Sequence, residues 1–267
     1  MKSRLFIFII ILFMTAALTN CIKQKQQGLT ITEGILSIGV EVGYPPMEYM
    51  DIDSATLIGF DIELAKALSG KLGLSADFID TSWEGIFAGL DSGKYDIALN
   101  ITILPERQQK FNFTKPYINS FITIVTLNNS SVSISEAQDI AGFRIGYQGD
   151  TTAQYFAQRL KEQGVVFSSF AYDKIIHCFN DLQIGRIDLV IVDNIAASHY
   201  TEKEASNFKI IWEGMDAEHI GICLKKGNDA LTNALNNALY ELFQDGTMQE
   251  LSFKIFSRDL VSSVRNF

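Results

Sequence analysis

Thr102 and Arg107 stand five residues apart in the stretch Asn100-Ile-Thr-Ile-Leu-Pro-Glu-Arg107, directly after the apolar run Ile97-Ala-Leu99. A hydroxyl and a guanidinium this close together are what a site for a small carboxylate needs. Arg presents a planar fork of donors that grips both carboxylate oxygens, and a hydroxyl or backbone N–H adds a further contact. A surface arginine after a turn would give the same spacing, so the stretch needs support from elsewhere in the chain.

That support comes from the elements that would carry the site. Strand-like runs at 34–42, 74–79, 95–99, 121–127, 143–147, 165–170, 187–192, 208–212 and 221–224 alternate with helical periodicity at 60–68, 82–90, 151–163, 174–183, 195–205, 230–243 and 248–256. Such alternation predicts an α/β fold with parallel-rich sheets. In open α/β sheets ligands bind beyond the carboxyl ends of the strands. Glu41 and Tyr44 follow the first strand, and Asn100 and Thr102 follow Leu99. Gln148, Asp150, Thr151 and Thr152 follow Tyr147, and Asp193 follows Val192. Thr151 and Thr152 also open a helix, whose free N–H groups favour an anion. Together with Arg107 these positions supply a guanidinium, the carboxylates of Glu41 and Asp193, several hydroxyls and an aromatic ring. A zwitterion asks for such a set, with anion donors at one end and a carboxylate for the ammonium at the other. Asp193 is equally placed to cap the helix that follows it.

Lys2 and Arg4 precede an apolar run, Leu5 to Met14, and then the small and polar residues Thr15 to Asn20 and Cys21. The run is too short to span a membrane and reads as a secretory signal peptide, residues 1–20. Leu18-Thr-Asn-Cys21 resembles a bacterial lipobox, which would make Cys21 the lipidated first residue of the mature protein. Residues 21–33 would then form a tether, and the protein would be periplasmic or extracytoplasmic, anchored to the membrane through Cys21. With 22 Lys and Arg against 31 Asp and Glu, the net charge of −9 disfavours a nucleic-acid partner. Cys178 and Cys223 sit among apolar neighbours and read as small buried hydrophobes, with a disulfide between them left open. Asp51-Ile-Asp-Ser-Ala-Thr56 begins like a calcium loop but lacks the glycine at its sixth position. Neither a metal nor a cofactor is expected.

The motifs Gly43-Tyr-Pro-Pro-Met-Glu48, Gly59-Phe-Asp-Ile-Glu-Leu-Ala-Lys-Ala-Leu68 and Trp83-Glu-Gly-Ile-Phe-Ala-Gly-Leu-Asp-Ser-Gly-Lys-Tyr-Asp96 come first. Pro105-Glu-Arg107, Phe113-Thr-Lys-Pro-Tyr117, Gln148-Gly-Asp-Thr-Thr152 and Asp245-Gly-Thr247 follow in order. In this order and spacing the chain resembles family-3 extracellular solute-binding proteins of bacterial polar amino acid ABC importers. The resemblance implies a two-lobe periplasmic-binding-protein-like fold of type II with a two-strand hinge. Lobe 1 would comprise residues 34–119 and 220–267, and lobe 2 residues 120–219. It implies a ligand in the cleft, hinge closure around it, a monomer, and an ABC permease as partner. Position by position it implies Arg107 for the ligand α-carboxylate, with Thr102 and Thr152 beside it. Asp193 and the Asn100 carbonyl would take the α-ammonium. Tyr44 and Trp83 would sandwich the ligand side chain, Glu41 would read its far end, and Gln148 would line the pocket from the second lobe. The chain departs from the family pattern at Leu104, where Thr is frequent, at Asp150, where Gly is common, and at Ile220, where Tyr is usual.

Arg107 against Glu41 and Asp193 leaves a formal −1, which a basic amino acid such as lysine, arginine or ornithine would neutralise. Glutamine or histidine could donate to Glu41 instead. The alternative is a periplasmic enzyme on the same scaffold, of the cyclohexadienyl or arogenate dehydratase kind. His177, His199 and His219 are dispersed and form no triad. A binding protein without catalysis is therefore expected, with His219 the residue nearest a crossover.

Overall fold

The computed structural model describes residues 28–202 and 207–264. The signal peptide, Cys21 and the first part of the tether lie outside the described residues. Leu29 already packs against the first lobe, and the Ile31 N–H donates to Asp96 Oδ1 at 2.7 Å.

The first half of the chain runs β1 (Ile35–Val40), β2 (Tyr49–Met50), β3 (Leu57–Ile58), α1 (Phe60–Leu72), β4 (Ser75–Asp80), α2 (Ile86–Ser92) and β5 (Ile97–Thr102). It continues with α3 (Pro105–Lys110), β6 (Phe111–Phe113), β7 (Ile118–Ser120), β8 (Ile122–Leu127) and β9 (Arg144–Gln148). Then follow α4 (Thr152–Glu162), β10 (Ser168–Tyr172), α5 (Ile175–Gln183), β11 (Leu189–Asp193), α6 (Asn194–Thr201), β12 (Phe208–Glu213), β13 (Glu218–Lys225), α7 (Asp229–Gln244) and α8 (Thr247–Phe256).

Two sheets form two lobes. The first has strand order β4-β1-β5-β13-β6, with β7 also on β13, and the second has order β10-β9-β11-β8-β12. β1 pairs in parallel with β4 and β5, and β9 in parallel with β10 and β11. β13 and β8 run antiparallel to their neighbours, so both sheets are mixed rather than uniformly parallel. The chain leaves the first sheet along β7 and returns along β13. These two strands pair with each other, Glu218 opposite Ser120 and Ile220 opposite Ile118.

The burial explains the elements. β1 is buried on both faces, its one polar side chain Ser37 bonded to Asp96, and β5 nearly so, because helices cover both sides of the sheet. Gly39 lies on β1 where a Cβ would sit 2.5 Å from the Tyr95 ring, so only glycine lets that ring close the layer. α1 turns Ile62, Leu64, Ala65 and Leu68 inward and ends at Gly73, φ 67°, in the left-handed conformation that terminates helices. α2 stops in the same way at Gly93. In the second lobe, Ile124, Ile145, Leu189 and Ile191 pack on one face of the sheet. Cys178, Phe179, Val190 and Val192 pack on the other. Cys178 and Cys223 are both free and buried in cores of different lobes, which rules out a bridge between them here.

Candidate functional site

The carboxyl ends of β1, β5, β9 and β11 converge on the cleft between the lobes. β5 extends through Thr102, so Asn100 and Thr102 lie on the strand itself and not beyond it. Asn100 adopts φ 56°, and its N–H is held by the Tyr117 hydroxyl at 2.8 Å. α4 begins at Thr152, with Thr151 as its N-cap residue, and the Thr151 hydroxyl donates to Gln148 O at 2.7 Å. Asp193 caps α6 by accepting from the N–H groups of Ile195 and Ala196 through Oδ1. Its Oδ2 accepts from the Tyr44 hydroxyl across the cleft. Cap and cleft roles thus fall to different oxygens of one carboxyl group.

One cavity is lined by all ten residues singled out by sequence: Glu41, Tyr44, Trp83, Asn100, Thr102, Arg107, Gln148, Thr151, Thr152 and Asp193. It is lined also by Glu48, Ser120, Glu218 and Ile220, to which the sequence alone gives no role in a site. Glu48 closes the Gly43–Glu48 motif, and Ile220 stands at the crossover where the family pattern has Tyr. Arg107 is buried, and its guanidinium lies against the Trp83 and Phe87 rings at 5.7 and 5.1 Å. It donates to Thr102 O and, across the cleft, to Asp150 O, both at 3.2 Å. Gln148 donates through Nε2 to Glu41 Oε1 at 2.7 Å. Lys174 Nζ reaches Val42 O at 2.9 Å. His219, in contrast, is exposed and hydrogen-bonded to Asn119, away from the cavity.

Electrostatically the wall carries more acid than Glu41 and Asp193 alone. Four carboxyl groups, of Glu41, Glu48, Asp193 and Glu218, face one guanidinium. Burial raises all four, because it disfavours the ionised form. Glu41 and Glu218 are pushed up to about 7, each against a hydrogen bond that lowers it, from Gln148 and Thr152 respectively. Glu48 rises well above the usual carboxylate range, first through burial and then through the charge of Asp61. Asp193 is raised by burial, opposed by the Tyr44 hydroxyl and the α6 N–H groups. Several buried polar atoms of the wall have no partner: Glu48 Oε2, Trp83 Nε1, Ser120 Oγ and Gln148 Oε1. Buried polar groups are nearly always satisfied, so this wall is built for a polar occupant. Among the described residues no group of His, Cys, Asp and Glu side chains is arranged to hold a metal ion. No described helix is long and apolar enough to cross a membrane.

The chain is 33% identical to the L-cystine-binding protein TcyJ of Escherichia coli K12, over 93% of its own length and 89% of that protein's. It is 29% identical to ABC transporter arginine-binding protein 1 of the same organism, over 83% of this chain and 90% of the other. Among solved structures it superposes on an ancestral arginine-binding protein bound to arginine, with a TM-score of 0.78 and 32% identity, covering 84% of this chain and 99% of that one. An ancestral amino acid-binding protein described as a precursor of cyclohexadienyl dehydratase gives a TM-score of 0.76 at 29% identity, over 84% of this chain and 95% of the other. The family model for bacterial extracellular solute-binding proteins, family 3, matches residues 36–258, and the chain belongs to that family.

Proposed function

We propose that the protein captures an amino acid with a second cationic or N–H donor group outside the cytoplasm and passes it to an ABC importer by closing and opening its lobes. The observation that carries this reading is the polarity of the cleft. Arg107, the α4 N-terminus and Thr102 form an anion-binding end, while Asp193 and the Asn100 carbonyl form the end for an ammonium. Glu41 stands beyond them, with Tyr44 and Trp83 as the apolar walls for the ligand side chain. A neutral aliphatic side chain would leave Glu41 without a donor other than Gln148, which makes lysine, arginine and ornithine the favoured ligands. Glutamine and histidine can donate to Glu41 as well. Cystine, the ligand named for one relative, carries a second α-ammonium that meets the same requirement.

The lobes are divided at 119/120 and 219/220, inside the paired strands β7 and β13, which serve as the hinge. The lipobox-like Leu18–Cys21 supports anchoring through a lipid on Cys21. Calorimetry with lysine, arginine, ornithine, glutamine, histidine, cystine, glutamate and leucine tests the ligand. Tight binding of glutamate or leucine with none of the others would overturn the reading. Membrane retention of the wild type and release of a Cys21→Ser variant into the soluble fraction would test the anchor.

The dehydratase-precursor match favours one rival. A carboxyl group with a pKa near 7 suits a general acid, and Glu41 and Glu218 both have one. Turnover of prephenate or arogenate by the purified protein would establish that rival in place of transport.

A further inference from the structure

Glu218 opens β13 at the point where the chain re-enters the first lobe, and its side chain is half-buried in the cavity wall. Burial disfavours its charge, while a hydroxyl donor and two guanidinium groups favour it. Thr152, the first residue of α4, donates through Oγ1 to Glu218 Oε2 at 3.0 Å. The guanidinium groups of Arg107 and Arg159 act on it from α3 and α4, and Asp193 from β11 is the acid that opposes them. On its own strand, His219 turns away to Asn119. Thr152 and Arg107 are also the groups assigned above to the carboxylate of the ligand. A carboxyl group of the protein therefore stands at the place where a carboxylate from solution must dock.

We propose that Glu218 is a specificity-determining residue that competes with the ligand carboxylate for Thr152 and Arg107, so that capture of the amino acid takes up a proton at Glu218. This rests on the amino acid reading given above. The two carboxylates cannot both be ionised at one low-dielectric site without a large repulsion. Glu218 must be neutral, or must move away, when the ligand carboxylate enters. Raising the pH through about 7 ionises Glu218 and weakens binding. Glu41 acts with the opposite sign. It reads a cationic far end, so its ionisation through the same range strengthens binding. In the wild type the two dependences offset each other, and single variants separate them.

The experiment is calorimetric titration of the wild type and of Glu218→Gln with L-arginine, L-lysine and L-cystine at pH 6 and pH 8. The amide keeps the shape and the acceptor for Thr152 but cannot ionise. At pH 6 the variant should match the wild type within about twofold. At pH 8 it should bind about tenfold more tightly, the factor for removing a group one pH unit above its pKa. Glu218→Ala should change affinity in the same direction at pH 8, and circular dichroism checks that both variants fold. Equal affinities at pH 8, or weaker binding by both variants at both pH values, would overturn the proposal and make Glu218 a bystander or a direct ligand contact. If none of the three probes binds the wild type, the amino acid reading itself fails and takes the proposal with it.

Discussion

Arg107 is fixed by the protein's own groups, with one guanidinium nitrogen on Thr102 O, another on Asp150 O, and the adjacent Trp83 and Phe87 rings against it. Such a fork is oriented in advance, so little entropy is lost when it grips a carboxylate. Arg107→Lys keeps the charge and loses the planar fork. It should weaken amino acid binding by about a hundredfold or more, given about 1.5–3 kcal/mol for each charge-assisted bond; affinity within threefold of wild type would remove Arg107 from the ligand contacts. Glu41 yields a stability prediction. Its folded pKa of about 7 exceeds the unfolded value of 4.5, so the folded state binds more protons between these values and loses stability as pH rises through them. Glu41→Gln, still able to accept from Gln148, should match the wild type below pH 4.5. At pH 8 it should be more stable by about 3 kcal/mol, because each pH unit between the unfolded and folded pKa contributes about 1.4 kcal/mol. Denaturant unfolding at the two pH values measures this, and an equal gain at both would refute it. The legibility of the site also divides at this scale. Asp193 and Thr152 were legible because their side-chain chemistry falls just at or after a strand end, and Arg107 because it follows Thr102 at a spacing of five. Glu48 and Glu218 were not, because an acid in a motif or at a crossover shows its direction only once the backbone is folded.

Among the elements, two departures from regular backbone shape the cleft. Asn100 and Asp150 both adopt positive φ, 56° and 57°, a region that Asn and Asp tolerate better than other side chains. Asp150 stands where the family resemblance leads one to expect glycine, and its left-handed conformation aims its carbonyl at Arg107. Its N–H is taken by Gln154 Oε1 at 2.7 Å. Asp150→Gly should therefore leave binding intact and change stability by less than about 1 kcal/mol, since strain relief offsets the greater freedom of the unfolded chain. A loss of more than tenfold in affinity would show that the carboxylate of Asp150 takes part. Gly59 is the stricter case. At φ 133° its missing Cβ would sit 2.1 Å from Met47 O, so Gly59→Ala must push α1 away from the loop that carries Glu48. The cost should be about 3 kcal/mol or more, read as a lowered denaturant midpoint; a midpoint unchanged from wild type would contradict the close approach. Most strands and helices were legible from periodicity. The short strands β2, β3, β6 and β7 were not, because two or three residues carry no period. The antiparallel course of β8 and β13 was hidden for a different reason: a strand buried on both faces reads alike in either direction.

At the scale of the whole molecule, contacts among the described residues join the lobes at two separate places besides the paired strands β7 and β13. One is the cleft itself, through Gln148 to Glu41, Lys174 to Val42 O and Tyr44 to Asp193. The other lies toward the C-terminal end of α6. Arg258, from the segment after α8, donates to Glu202 Oε1 at 3.1 Å and to Ser198 Oγ at 2.7 Å. Nearby, Tyr49 of the first lobe meets His199 edge-on at 5.7 Å. The first set lies where the ligand is expected, so occupancy alters it. The second is independent of the cleft, so under the proposed hinge motion it would bias closure whether or not the site is filled. Both partners of the Arg258–Glu202 pair are largely exposed, at 44% and 57%, so the pair is worth at most about 1 kcal/mol. That still corresponds to about a fivefold shift between closed and open lobes. If closure is required for tight binding, the same factor must appear in the ligand Kd, because affinity scales with the population of the competent form. Arg258→Ala should increase the radius of gyration in small-angle scattering and weaken binding by up to about fivefold at about 20 mM salt. Both effects should shrink at about 500 mM salt, where the charges are screened in the wild type too. A Kd that changes without any change in the radius of gyration would show that Arg258 acts on the site and not on the hinge equilibrium, whereas the part of the effect that survives high salt belongs to the lost bond to Ser198.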